Sequence, residues 1–222
     1  MFNKKTCKIA LIIPTFNESK NIKKVLNNLN NKYKIIIIND GSNDDTNFQA
    51  LRNKNTVLLN HKYNLGYDSA LLTGFKYAYK EKYDFAITFD ADNQFYIKDL
   101  KKILNIIELS DYDIIIGERK KFQRLGESIS GYFFNLLFDI KDPFCGLKAY
   151  RLKNVSKKKF LEFYKKKFYG LQFLKAYIKI NNYKCIKIKT KPRIGNPKLK
   201  NSIFVNIKMI YATLFLLIVT LK

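Results

Sequence analysis

Five short apolar runs, separated by helical or turn-forming stretches, restrict this 222-residue chain to few architectures. Lys8–Ile13 stops at Pro14, Tyr33–Ile38 at Asn39-Asp40-Gly41, Thr56–Leu59 at Asn60, Tyr83–Phe89 at Asp90, and Asp113–Ile116 at Gly117. Continuous apolar runs of this length read as strands buried on both faces. Between them, Ile22, Val25, Leu26 and Leu29 recur at helical spacing, as do Ala70, Leu71, Gly74, Phe75 and Ala78 in the segment from Gly66 to about Tyr79. A further helix is expected from about Ile97 to Leu109. Strands alternating with helices predict an α/β fold of Rossmann type, with a mainly parallel sheet and helices on both faces. No internal repeat is present.

The pattern changes after Lys120. Ser128–Phe138 reads as an apolar, aromatic helix, Gly146–Tyr150 as a returning strand, Phe168–Ile180 as a helix and Tyr183–Thr190 as an alternating edge strand. Tyr132, Phe133, Phe134 and Phe138 are expected in the core, the alternative being a groove at a membrane face. The last segment, Met209–Leu221, is apolar for 13 residues, short of the roughly 20 a spanning helix needs. Extension back to Ile203 gives the length but takes in Asn206 and Lys208. An interfacial or re-entrant helix, or one docked on a membrane partner subunit, is expected; a C-terminal core helix is the alternative.

The hydrophobic fraction of 47% excludes a disordered chain. The net charge of +24 raises nucleic acid as a partner, yet only Arg52, Arg119, Arg124, Arg151 and Arg193 among the 42 basic residues are arginine. Readers of phosphates and bases favour the bidentate guanidinium, so nucleic acid is not expected. No acid follows Glu162 while basic residues continue, which favours an anionic surface near the C-terminal third. Lys157–Lys159 and Lys165–Lys167 are solvated faces or contacts with an anionic membrane surface. Cys7, Cys145 and Cys185 are odd in number and lack metal-ligand spacing, as expected of reduced thiols. The N-terminus has no long apolar core, so the folded part is expected in the cytoplasm. His61 is expected to be solvated or locally hydrogen-bonded.

In a parallel sheet the carboxyl ends of the strands share one edge, and there the acids gather. Glu18, Asp40, the pair Asp90 and Asp92, and Glu118 follow the first, second, fourth and fifth strands. An isolated Asp-x-Asp also suits a capped turn. Converging with the other acids, it suits a divalent cation that takes oxygen ligands and leaves positions for a diphosphate.

Six segments resemble, in order, the motifs of the family 2 glycosyltransferases, and among them the polyprenyl-phosphate hexosyltransferases, the branch of the dolichyl-phosphate mannose synthases. They are Ile12-Ile-Pro-Thr-Phe-Asn-Glu18, Ile37-Ile-Asn-Asp-Gly-Ser-Asn-Asp-Asp-Thr46, Asn64-Leu-Gly66 with Ala70 and Gly74, Asp90-Ala-Asp-Asn-Gln94, Asp142-Pro-Phe-Cys-Gly-Leu-Lys-Ala-Tyr-Arg151, and Arg193-Ile-Gly-Asn-Pro-Lys198. The resemblance implies a GT-A-like domain over residues 1–200, with a nucleotide-sugar-binding half (1–120) and an acceptor half (121–200). Residues 201–222 would form an apolar membrane-associated helix. It implies that Pro14, Phe16, Glu18 and Asp40 border the base and ribose of a nucleotide diphosphate sugar. Asp90, Asp92 and Gln94 would hold Mg²⁺ or Mn²⁺, and Arg119, Arg124 and Lys198 would meet donor or acceptor phosphates.

The implied reaction is inverting transfer of a hexose to a polyprenyl phosphate at the cytoplasmic face of a membrane, with Asp92, Arg119 and Asp142 as the catalytic set. A phosphate monoester is largely a dianion at neutral pH, so this acceptor requires no general base. Many relatives carry an acid on the helix holding Leu171 and Gln172, and this sequence has none there; a hydroxyl acceptor would want such a base, so its absence favours phosphate, unless Asp142 serves as the base. The alternatives are a transferase of the same fold acting on a sugar hydroxyl in capsule or lipopolysaccharide synthesis, and a nucleotide-sugar-binding scaffold without activity.

Overall fold

The structure, a computed structural model, describes residues 7–29, 33–51, 53–154, 168–178, 182–193 and 202–221. Among these, seven strands form one sheet: β1 (Ile9–Thr15), β2 (Lys34–Asn39), β3 (Thr56–Asn60), β4 (Phe85–Thr88), β5 (Ile114–Arg119), β6 (Lys148–Arg151) and β7 (Tyr183–Ile188). Their order is β3-β2-β1-β4-β6-β5-β7. Only β6 runs against its neighbours, pairing antiparallel with β4 and β5; the other pairs are parallel. The strand begins at the edge where β4 and β5 end, since Lys148 lies opposite both Thr88 and Ile116. The carboxyl edge of the sheet therefore receives the ends of six strands and the start of a seventh.

Alternation along each strand fills two cores. Ala10, Ile12, Ile36, Ile38, Ala86, Ile114 and Ile116 pack on one side against α3 (Tyr67–Lys80), α5 (Leu125–Phe138), α6 (Leu171–Ile178) and α7 (Ile203–Leu221). Leu11, Ile13, Ile35, Ile37, Phe85, Ile87 and Ile115 pack on the other against α1 (Ser19–Asn28) and α4 (Ile97–Leu109). This double burial explains why the strands read as unbroken apolar runs. The turn-rich stretch before Thr46 leads into a short helix, α2 (Thr46–Leu51), which residue spacing does not signal. β5 also runs past Ile116 to Arg119, because β7 continues the ladder through Glu118–Lys187 and Arg119–Ile188.

The C-terminal apolar helix is half core and half surface. Met209, Ala212, Thr213, Leu216 and Leu217 are buried. Thr213 Oγ1 lies 2.8 Å from Ser130 Oγ of α5, and Asn206 Oδ1 accepts the Gly126 N–H at 2.8 Å. A side chain at 126 would meet the Asn206 backbone at 2.9 Å, so glycine permits the close crossing. The outer sides carry Leu125, Ile129, Tyr132 and Leu136 on α5 and Ile203, Phe204, Ile207 and Tyr211 on α7, all exposed. Phe134 is in the core as expected, whereas Tyr132 is 67% exposed. No helix of the described residues is long and apolar enough to cross a membrane. The two lysine runs lie outside the described residues.

Candidate active site

At the carboxyl edge, the loop after β1 is stitched to the loop after β2. Asn17 N–H donates to Ser42 Oγ, Asn43 N–H to Asn17 Oδ1, Glu18 N–H to Thr46 Oγ1 and Ser19 N–H to Asp44 Oδ2, at 2.9–3.1 Å. Pro14 and Phe16 stand partly exposed beside this seam. Gly41, at φ +74°, brings the second loop so near Tyr63 and Asn64 that a Cβ would lie 2.6 Å from the Tyr63 carbonyl carbon.

Asp40, expected at the base and ribose, is buried, and both its oxygens accept from fixed donors. It accepts from His61 Nδ1 at 2.7 Å, Leu65 N–H at 2.9 Å and Gly66 N–H at 2.8 Å, and so fixes the start of α3. His61 is locally hydrogen-bonded, its Nε2 lying 2.9 Å from Thr73 Oγ1.

Asp90 and Asp92 follow β4. Asp90 Oδ1 accepts the Tyr67 hydroxyl at 3.3 Å, and Gly146 lies directly behind the carboxylate. Asp92 Oδ1 accepts the Gln94 N–H at 3.1 Å. Its Oδ2 accepts Arg193 Nη1 at 3.0 Å, while Arg193 Nη2 donates to Glu18 Oε1 at 2.9 Å. Asn21 completes Glu18 by donating to Oε2 at 2.6 Å. Burial, then the charge of Asp90, pushes the Asp92 carboxyl up to about 7. Asp90 is raised by burial too, against the opposing pull of Arg119, the Tyr67 hydroxyl, Lys148 and Arg193.

A partly buried and a buried carboxylate whose charges oppose each other form a donor set that Mg²⁺ or Mn²⁺ would relieve, and the residues fit such an ion. Among the described residues no third His, Cys, Asp or Glu completes a metal-binding group. Two protein carboxylates with the remaining positions left to phosphate and water is an arrangement hard cations accept. Gln94, the third expected ligand, has its side-chain amide engaged elsewhere. Its Oε1 accepts from Gln123 Nε2, its Nε2 donates to the Lys191 carbonyl, both at 3.3 Å, and it lines a cleft of about 430 Å³ with Lys121, Gln123, Lys191 and Arg193.

On the other side of Asp90, the Arg119 guanidinium forks onto Asp142 through Nε at 2.7 Å and Nη2 at 2.9 Å. Nη2 also meets Glu127 at 3.1 Å, and Glu127 holds Arg124. Asp142 is fully buried and takes the Arg119 N–H as well, so it orients the arginine and is not placed to serve as a base. Glu118 likewise leaves the convergent set. Lying inside β5, next to Arg119 and on the opposite face, it accepts the Lys141 N–H at 2.7 Å. Lys198 lies outside the described residues.

The acid missing beside Gln172 in sequence is supplied in space by Asp68 of α3. It accepts from Tyr169 N–H, Gly170 N–H and Gln172 Nε2 at 2.6–2.9 Å, holding a left-handed turn at Tyr169 (φ 54°) and Gly170 (φ 82°). Its oxygens are occupied, so it too is a structural anchor. Sequence reasoning did not place Arg193, Tyr67, Glu127, Gly146 or the buried Lys148 in the site. Arg193, Gly146 and Lys148 carried a signal, as positions of the motifs quoted above, but were given no role; Tyr67 and Glu127 carried none.

Residues 10–220 match the model of the family described as glycosyl transferase family 2. The chain is 37% identical over 132 residues to a UDP-N-acetylglucosamine–dolichyl-phosphate N-acetylglucosaminyltransferase of Methanococcus voltae, covering 51% of this chain and 52% of that one. It is 29% identical over 168 residues to a dolichol-phosphate mannosyltransferase of Pyrococcus furiosus, covering 65% and 46%. The match thus spans about half the length of each of these relatives. The fold is shared with glucosyl-3-phosphoglycerate synthase from Mycobacterium tuberculosis, solved with Mn²⁺, UDP and glucosyl-3-phosphoglycerate, at a TM-score of 0.73 and 13% identity over 95% of this chain and 79% of that one.

Proposed function

The chain belongs to glycosyltransferase family 2, and from that premise we propose that it transfers a hexose from a nucleotide diphosphate sugar to a polyprenyl phosphate, with inversion at the anomeric carbon. The observation that carries this reading is the pair of the partly buried Asp90 and the buried Asp92, set between the Arg193–Glu18 bridge and the Arg119–Asp142–Glu127 cluster. The pair would hold a Mg²⁺ or Mn²⁺ ion, which supplies charge neutralisation of the diphosphate leaving group. Glu18, with Pro14 and Phe16, borders the nucleoside side. Arg119 is held rigid by two carboxylates, and a preorganised cation stabilises developing phosphate charge without reorganising.

The acceptor class is supported by the state of the nearby acids. Asp40, Asp68 and Asp142 each accept three hydrogen bonds from fixed donors, and Glu127 holds two arginines. A hydroxyl acceptor calls for a carboxylate placed to take its proton, and these acids are committed to fixed donors, whereas a phosphate dianion arrives deprotonated. The exposed apolar sides of α5 and α7 support a place at the cytoplasmic face of a membrane, peripheral or anchored, on anionic lipid or beside a membrane partner subunit.

Protein, Mn²⁺ and a polyprenyl phosphate are incubated with labelled GDP-mannose, UDP-glucose or UDP-N-acetylglucosamine. A labelled glycolipid that disappears in Asp92→Ala is the expected result. Absence of glycolipid with every donor, together with transfer to a sugar hydroxyl, would reject the acceptor.

A further inference from the structure

Arg193 joins two acids from different loops, Glu18 after β1 and Asp92 after β4, and it does so with capacity to spare. Nη2 and Nη1 carry the two ion pairs, at 2.9 and 3.0 Å, while Nε is buried without a hydrogen-bond partner among the described residues. The side chain is 20% exposed and borders the cleft lined by Lys191 and Gln94. A guanidinium offers a planar fork suited to phosphate oxygens, and here part of that fork is engaged by a carboxylate that the metal site also needs.

We propose that Arg193 is the resident counter-cation of the acid pair. The divalent ion would release it from Asp92, and the freed Nη1 then takes an anionic oxygen of the donor diphosphate, with Nη2 kept on Glu18 as the anchor. The inference rests on the metal role given above to Asp90 and Asp92. Its physical basis is that a guanidinium and a divalent ion repel each other across one buried carboxylate, so each weakens the other's hold. Arg193 therefore lowers metal affinity before nucleotide arrives and raises it afterwards, when its charge meets phosphate. By linkage, the nucleotide must tighten metal binding by the same factor that the metal tightens nucleotide binding.

Mn²⁺ titration of the full chain without nucleotide, read by the electron paramagnetic resonance of free Mn²⁺, tests this. Arg193→Met is expected to bind Mn²⁺ about tenfold more tightly than wild type, and UDP at saturating Mn²⁺ about tenfold more weakly. Arg193→Lys, a point charge unable to fork onto both acids, falls between. Should Arg193→Met fail to fold, wild-type protein labelled with ¹⁵N-arginine gives the same answer. Mg²⁺ should shift the Arg193 Nε–H signal, assigned with Arg193→Lys, and leave that of Arg151 at the opposite sheet edge in place. Mn²⁺ affinity in Arg193→Met equal to or weaker than wild type, or an Arg193 signal indifferent to Mg²⁺, overturns the exchange. No Mn²⁺ binding by wild type would instead reject the metal reading beneath it.

Discussion

Gly146→Ala should disable the site from behind while removing no ionisable group. A Cβ at 146 would lie 2.0 Å from Asp90 Oδ2 and 2.5 Å from both Cγ and Oδ1, against the roughly 3.5–4 Å of an ordinary carbon contact. The carboxylate must therefore move by more than 1 Å or turn out of its rotamer, since Gly146 is pinned through its carbonyl, which accepts Thr88 Oγ1 at 2.7 Å. Overpacking of this kind costs about 1–3 kcal/mol of stability. Disturbing the group that orients a metal ligand costs about 10–100-fold in metal affinity. Mn²⁺ binding by calorimetry and urea denaturation of the same sample measure the two effects separately. Gly131→Ala is the control: its Cβ would meet the Lys141 carbonyl oxygen at 2.4 Å, so it should lose comparable stability and keep its Mn²⁺ affinity. Gly146→Ala with wild-type Mn²⁺ affinity would refute the claim that this glycine sets the position of Asp90.

Asp142→Asn leaves Arg119 buried with Glu127 as its remaining carboxylate, and urea denaturation should show a loss of about 3–5 kcal/mol, partly recovered by adding Arg119→Met. Asp40→Ala strands His61 and two backbone donors, a loss of about 3 kcal/mol by the same assay, with Asp40→Asn less affected because one oxygen remains. Because the folded state raises Asp92 above its unfolded value, protonation stabilises the metal-free protein at low pH, and this contribution is lost as pH rises through about 7. Thermal melts without metal should fall between about pH 4 and pH 7, Mn²⁺ affinity should climb over the same interval, and Asp92→Asn should flatten the melt.

Much of this was readable from residue order, and what escaped did so for definite reasons. The apolar runs place β1, β2 and β4 because both faces of the sheet are covered, and parallel topology then brings Glu18, Asp90 and Asp92 to one edge. Periodicity says nothing of strand order, so the insertion of β6 between β4 and β5 was hidden, and with it the contact of Gly146 with Asp90. Side-chain direction was misjudged where a strand ran longer than expected: Glu118 belongs to the ladder and faces away. Asp40 and Asp142 were read as ligand-binding or catalytic groups because acids at a sheet edge look alike in sequence. Only coordinates show that backbone amides and Arg119 have already claimed them. The bridge from Arg193 to Glu18 spans 175 positions, beyond any local pattern.

The reversed strand has a consequence for the growing chain. Thr88 and Lys148, neighbours across β4 and β6, are 60 residues apart, so β1–β4 can pair well before the second edge of β4 is covered. During synthesis that edge, Phe85-Ala-Ile-Thr88, stays open: four uncharged residues with free backbone donors and acceptors. Until Lys148–Arg151 arrives, the strand leading to the acid pair is also the place where two nascent chains can pair with each other.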